Sequence, residues 1–207
     1  MADWNGEIAS REELRERKRR AALRVASRLF NEKGYHATSL DEIADRIGVT
    51  KTALFYYFRN KEELLFECIE LSLDAGDRAR MAEPDDAAAL DRFRAFYLHF
   101  LTEAMRDGGS YTTKVNIRAL PAAMQERVEL RRNALRDHIA GLLETAVAEG
   151  SVRPLDCLAT ANYLVMAINW LVAHPGEFPT PSQDAEQEAR TFLDQVLYGI
   201  ATGAGGS

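Results

Sequence analysis

The chain has 207 residues, is 46% hydrophobic and 28% charged, and carries a formal net charge of −6. That length supports one large core or two small ones, and no apolar run reaches the roughly 18 residues that span a bilayer. The two cysteines, Cys68 and Cys157, fit no metal-ligand spacing, and the polar N-terminus lacks the apolar centre of a signal peptide, so a cytoplasmic chain with reduced thiols is expected.

Helical periodicity dominates and strand alternation is nearly absent, which predicts an all-α fold. The first helix is expected over Leu14 to Lys33, with Ala22, Val25, Ala26, Leu29 and Phe30 at three- and four-residue steps and Gly34 as its stop. Ser39 opens a second helix, with Glu42 three residues on as its capping-box partner, and Gly48 closes it. Thr50 caps a third helix, Lys51 to Phe58. Asn60 caps a fourth, paired with Glu63 and running toward Gly76. Longer elements follow at Ala87 to Met105, Tyr111 to Ala119, Ala122 to Glu149, Asp156 to Ala173 and Gln183 to Ile200. The arm 1–12 is expected to be flexible and the Gly-rich tail 201–207 disordered.

Charge divides the chain unevenly. Residues 1–61 hold 13 Lys and Arg against 9 Asp and Glu, whereas residues 62–207 hold 13 against 23. A basic head can meet a polyanion while the acidic body keeps the molecule soluble.

Two short helices joined by the turn "IGVT" make a helix-turn-helix signature. Gly48 gives the turn its backbone freedom, and Thr50, Lys51 and Thr52 put hydroxyls and a charge at the N-terminal end of the second helix. That end is the one this motif aims at base edges and phosphates. Leu54 and Phe58, four apart, anchor the helix, which leaves Phe55, Tyr56 and Tyr57 facing outward to different degrees. Lys61 opens the fourth helix, where free N–H groups already attract anions.

Residues 38–65, "TSLDEIADRIGVTKTALFYYFRNKEELL", resemble the DNA-binding head of the TetR family of bacterial transcription regulators. The match rests on Thr38-Ser39, Ile43-Ala44, Gly48-Val49-Thr50, Leu54 to Phe58 and Lys61 to Leu64. Two positions depart from the family pattern: Phe55 stands where a Tyr is usual, and Thr52 where a Gly is frequent. The resemblance implies a nine-helix architecture, with a three-helix head over residues 1–61 and a ligand-binding and dimerisation bundle over 62–200. It also implies DNA contacts from Thr38, Ser39, Thr50, Lys51, Thr52, Ala53, Phe55, Tyr56, Tyr57 and Lys61. The partners implied are a palindromic double-stranded operator, a second copy of the chain joined through the last two helices, and a small hydrophobic effector that releases a repressor. No cofactor or metal is implied.

Polar and aromatic groups within apolar faces mark the candidate pocket. They are Phe93, Tyr97 and Phe100; Tyr111, Asn116 and Arg118; and Met166, Asn169 and Trp170, with Asn162 alongside. A second resemblance, carried by Leu120-Pro121, Arg131, Gly150 and Asn169-Trp170, is to a branch of the family that senses acyl-CoA thioesters. It implies that Arg118, Arg127, Arg131 and Arg132 meet CoA phosphates, while a solvated basic face is the alternative reading. Catalysis finds no support in sequence: His36, His99, His138 and His174 are dispersed, and no nucleophile motif or Gly-rich phosphate loop occurs. A helical adaptor that binds protein through the aromatic patch is the other class left open.

Overall fold

In the computed structural model, residues 11–106, 114–173 and 185–199 are described, and among them the chain forms nine helices and no strand. They are α1 (Arg11–Lys33), α2 (Leu40–Ile47), α3 (Lys51–Phe55), α4 (Lys61–Met81), α5 (Ala89–Arg106), α6 (Lys114–Ile117), α7 (Ala122–Ala148), α8 (Cys157–Ala173) and α9 (Ala185–Tyr198). The expected all-α architecture is present. The arm 1–12, the tail 201–207 and Tyr111, all named from sequence, fall wholly or largely outside the described residues.

The front of the molecule follows its caps. Ser39 Oγ accepts from the Glu42 amide at 3.1 Å, Thr50 Oγ1 from the Ala53 amide at 3.1 Å, and Asn60 Oδ1 from the Glu63 amide at 2.7 Å. Each bond satisfies one of the N–H groups that a helix start leaves without a partner. Gly48 ends α2 in the left-handed region at φ 71°, a conformation that a Cβ disfavours. Val49 can then pack on the head while its amide returns to Ala44.

Several boundaries differ from the sequence reading by one to five residues, and packing explains two of them. Helix α3 ends at Phe55, three residues early, because the Tyr57 and Phe58 amides both converge on the Leu54 carbonyl as the chain turns away. That turn sends the Phe58 ring into the core beside Leu54, so the anchoring pair survives the loss of the last helical turn. Helix α4 does not stop near Gly76 but continues to Met81. A Cβ at Gly76 would lie 2.8 Å from Leu135 Cδ1, so this glycine serves a close approach between α4 and α7. A mid-helix glycine costs only about 1 kcal/mol relative to alanine, and the buried Ala75 and Ala79 on either side hold the helix together.

Helix α4 joins two cores. Its first half supplies Leu64, Leu65, Cys68, Ile69 and Leu73 to a front cluster with Leu23, Phe30, Ile43, Leu54 and Phe58. Ile117, Leu120 and Val128, from α6 through the start of α7, close that cluster. Its second half supplies Ala75 and Ala79 to a rear cluster built on Phe93, Phe96, Tyr97, Leu101, Ile139, Leu143, Leu164 and Ile168. Charge also ties α4 to α7: Arg131 bonds Glu70 at 2.9 Å and Asp74 at 3.0 Å and also reaches Asp77, and Arg127 bonds Glu70 at 3.1 Å. In the rear, α5 packs against α4, α7, α8 and α9 and is the centre of the bundle. Both cysteines are buried thiols outside any disulfide. No helix among the described residues is long and apolar enough to cross a membrane.

Candidate nucleic-acid interface and ligand cavity

One face of the head collects most of the residues expected to touch DNA. Ser39, Thr50, Lys51, Thr52, Phe55 and Tyr56 are all exposed, and Ala53 is half-buried among them. Tyr56 is 68% exposed and stands edge-on to Tyr57, with the Arg15 guanidinium 5.2 Å from its ring centre. Phe55 is 45% exposed without a hydroxyl to offer, so it brings apolar area alone. Tyr57 is half-buried and packs on the front core. Lys51 forms an exposed ion pair with Asp41 at 2.8 Å, a contact worth about 0–1 kcal/mol that a phosphate can displace.

Lys61 has a platform that the sequence did not reveal. Its ammonium lies 4.2 Å from the centre of the Tyr35 ring, whose hydroxyl donates to Glu62 at 2.9 Å. Burial holds the Lys61 pKa below its ordinary value, with neighbouring Glu62 opposing that shift. The Glu62 carboxyl is held below the usual carboxylate range by a backbone amide and by the Tyr35 hydroxyl. Lys61 is thus a partly desolvated cation at a helix N-terminus, fixed over an aromatic face.

Thr38 is a correction. It is buried, and its hydroxyl is directed at the Gly34 carbonyl at 2.9 Å and the Leu29 carbonyl at 3.1 Å. This side chain fastens the end of α1 to the start of α2 and presents no hydroxyl outward.

Behind the head lies a small cavity of about 50 Å³, lined by Ile69, Ser72, Leu73, Phe100, Ile117, Arg132, Leu135, Val165, Ile168 and Asn169. Of the expected pocket residues, Phe100 and Asn169 reach it. Phe93 and Tyr97 stack on each other in the rear core, and the Tyr97 hydroxyl is committed to the Leu164 carbonyl at 3.0 Å. Met166 and Trp170 lie on the exposed side of α8, because the opposite side, with Ala161, Leu164 and Ile168, is the one buried by this chain. Asn162 is exposed and bonds the Leu158 carbonyl of its own helix at 3.0 Å. Arg118 is exposed.

Asn116 has a different place from the one expected. It is buried, its Oδ1 accepts from the Tyr35 amide at 3.1 Å, and its Nδ2 donates to the Phe30 carbonyl at 3.2 Å. It therefore pins α6 to the end of α1. The next residue, Ile117, lines the cavity. Sequence reading passed over Ile117, Leu135, Val165 and Ile168 because an apolar residue at helical spacing looks the same in a core and in a cavity wall. Arg132 carried a legible signal, since it lies on the stripe Val128, Arg132, Leu135, Ile139 where α7 is otherwise buried and apolar.

A capped pair of short helices with an exposed hydroxyl, cationic and aromatic face, mounted on a helical bundle, defines a helix-turn-helix DNA-binding protein. The model of the bacterial regulatory proteins of the tetR family matches residues 22–68. The HTH-type transcriptional regulator RutR of Escherichia coli (strain K12) is 30% identical over 183 residues, covering 87% of this chain and 83% of RutR. The structure of the ketosteroid transcriptional regulator KstR2 of Mycobacterium tuberculosis superposes with a TM-score of 0.73 at 25% identity, covering 95% of this chain and 98% of that one. The structure of AibR in complex with isovaleryl coenzyme A and operator DNA gives a TM-score of 0.66 at 24% identity, covering 88% and 98%. The chain belongs to the tetR family of bacterial regulatory proteins, and its relatives are DNA-binding transcriptional regulators rather than enzymes.

Proposed function

We propose that this regulator works in the cytoplasm as a homodimer on a palindromic operator, as a repressor that a small effector releases. The observation that carries the reading is the adjacency on α6 of Asn116, which holds the head, and Ile117, which lines the cavity. Helix α4 offers a second connection, since Ile69, Ser72 and Leu73 line the cavity while its first turn carries Lys61. An occupant that moves α6 or α4 must then alter how the head sits. Because an effector shifts only an equilibrium whose two states it binds unequally, such a linkage is what release requires.

In this reading Ser39, Thr50, Lys51, Thr52, Ala53, Phe55, Tyr56, Tyr57 and Lys61 form the DNA surface, and Thr38 supports it from beneath. The head over residues 1–61 reads the operator, and the bundle over 62–200 binds effector and partner. The dimer face is assigned to α8 and α9, where Leu158, Tyr163, Met166, Trp170, Val196 and Tyr198 are exposed large apolar or aromatic groups. Two heads must reach recognition sites about 34–36 Å apart, or a multiple of that spacing, which a rigid helical dimer face can fix.

The acyl-CoA reading draws support from AibR, a structural neighbour described with isovaleryl coenzyme A. It is weakened by Arg127 and Arg131, which are already neutralised by Glu70, Asp74 and Asp77. A mobility-shift titration on DNA upstream of the protein's own gene, at rising salt, tests the core of the proposal. Saturable, salt-sensitive binding by a dimer is expected. Absence of binding at low salt would end the DNA reading and favour the adaptor.

A further inference from the structure

The cavity wall carries one cation, Arg132, that no carboxylate among the described residues pairs with directly. Arg132 makes no hydrogen bond or ion pair with any described residue, although Arg127 and Arg131 on the same helix are both paired with α4 carboxylates. Glu129 acts on it electrostatically but forms no contact, and burial lowers its pKa. A guanidinium stays charged at any relevant pH, so it cannot escape burial by losing its proton. A half-buried charge with no direct partner among the described residues is partly desolvated, and an arriving anion offsets part of that cost.

The rest of the wall narrows the class of ligand. Asn169 lines the same cavity and makes no side-chain hydrogen bond with any described residue, so the wall offers an amide donor as well as the guanidinium. The Ser72 hydroxyl is committed to carbonyls of its own helix, 2.9 Å from that of Ile69. Ile69, Leu73, Phe100, Val165 and Ile168 supply only apolar surface. One cation and one amide in a mostly apolar wall suit a single negative charge on an apolar body, not a polyphosphate. A space of about 50 Å³ holds a head group, and a longer body requires side chains such as Leu135 to yield.

We propose that the effector is a small apolar monocarboxylate, bound with its carboxylate on Arg132 and beside Asn169. The inference rests on the reading of this cavity as the effector site. A planar carboxylate can take two parallel N–H bonds from the guanidinium, which gives orientation as well as affinity.

The test compares butyrate, hexanoate, octanoate and benzoate with their primary amides, by calorimetric titration of the full chain and by release of bound DNA. At least one carboxylate should bind wild type about tenfold or more tighter than its amide, as a charge-assisted hydrogen bond predicts. Arg132→Met should fold, because it leaves no buried charge, and should lose that preference while still binding the amide. Arg136→Gln, on an arginine paired with Asp137 at the surface, serves as the control and should keep the preference. Equal affinity for acid and amide, a preference that survives Arg132→Met, or no binding of any carboxylate would overturn the proposal. Carboxylate binding by a wild type that shifts no DNA would instead sink the regulator reading and leave the anion site standing.

Discussion

Side chains of the same sequence motif divide by what already satisfies them. Thr38 and Lys61 both belong to the motif that marks the head, yet the Thr38 hydroxyl is satisfied internally while Lys61 lies on a ring at a helix start. Lys61→Ala should therefore lower the slope of log affinity against log salt by about 1, the signature of one lost phosphate contact. Thr38→Val should leave that slope as it is and lower stability by about 1 kcal/mol, read from urea unfolding, because it deletes a buried hydrogen bond. If Thr38→Val changed the slope and left the unfolding midpoint alone, the internal assignment would be wrong. The buried Leu54 and the outward Tyr56 were legible from phase, since successive helical residues point about 100° apart, whereas Phe58 lies past the end of α3 and reaches the core through the turn that follows. The platform under Lys61 was not legible, because Tyr35 lies 26 residues away in sequence and meets it only after α1 and α4 pack.

The capped helix starts at Ser39, Thr50 and Asn60 were legible, and the ends of α3 and α4 were not. Ser39, Thr50 and Asn60 each cap the helix that their sequence context predicts, because a capping bond spans three residues and needs no tertiary partner. The ends of α3 and α4 depended on what lies opposite them. Gly76 reads as a stop locally and is a packing device in the fold, facing Leu135. Gly76→Ala restores helix propensity worth about 1 kcal/mol and drives the Leu135 side chain from its place. Leu135 can yield toward the cavity that it lines, so stability should change by less than about 1 kcal/mol in a thermal melt. The same substitution should weaken carboxylate binding, because the displaced Leu135 takes up the space. A sharp loss of stability would mean that Leu135 cannot move and that the cavity wall is rigid.

For the whole molecule, the proposed dimer rests on the outer side of α8. This chain buries Ala161, Leu164 and Ile168 on one side of the helix and leaves Tyr163 69% exposed and Met166 65% exposed on the other. The paired substitution Tyr163→Glu and Met166→Lys should give monomers in sedimentation velocity and a loss of operator affinity of at least about tenfold. One head alone cannot span two half-sites one DNA turn apart. A dimer that persisted in this variant would move the interface elsewhere. Sequence by itself determined the all-α class, the caps, the recognition turn and the basic head, because these depend on local periodicity, hydrogen bonds a few residues long and net composition. Only the tertiary structure decided that Asn116 fastens α6 to the head, that Met166 and Trp170 face outward, and that Arg132 lines a cavity with no ion-pair partner among the described residues. Those three outcomes turn on which helix face meets which neighbour. That choice is made by packing between residues tens of positions apart, and helical period leaves it open.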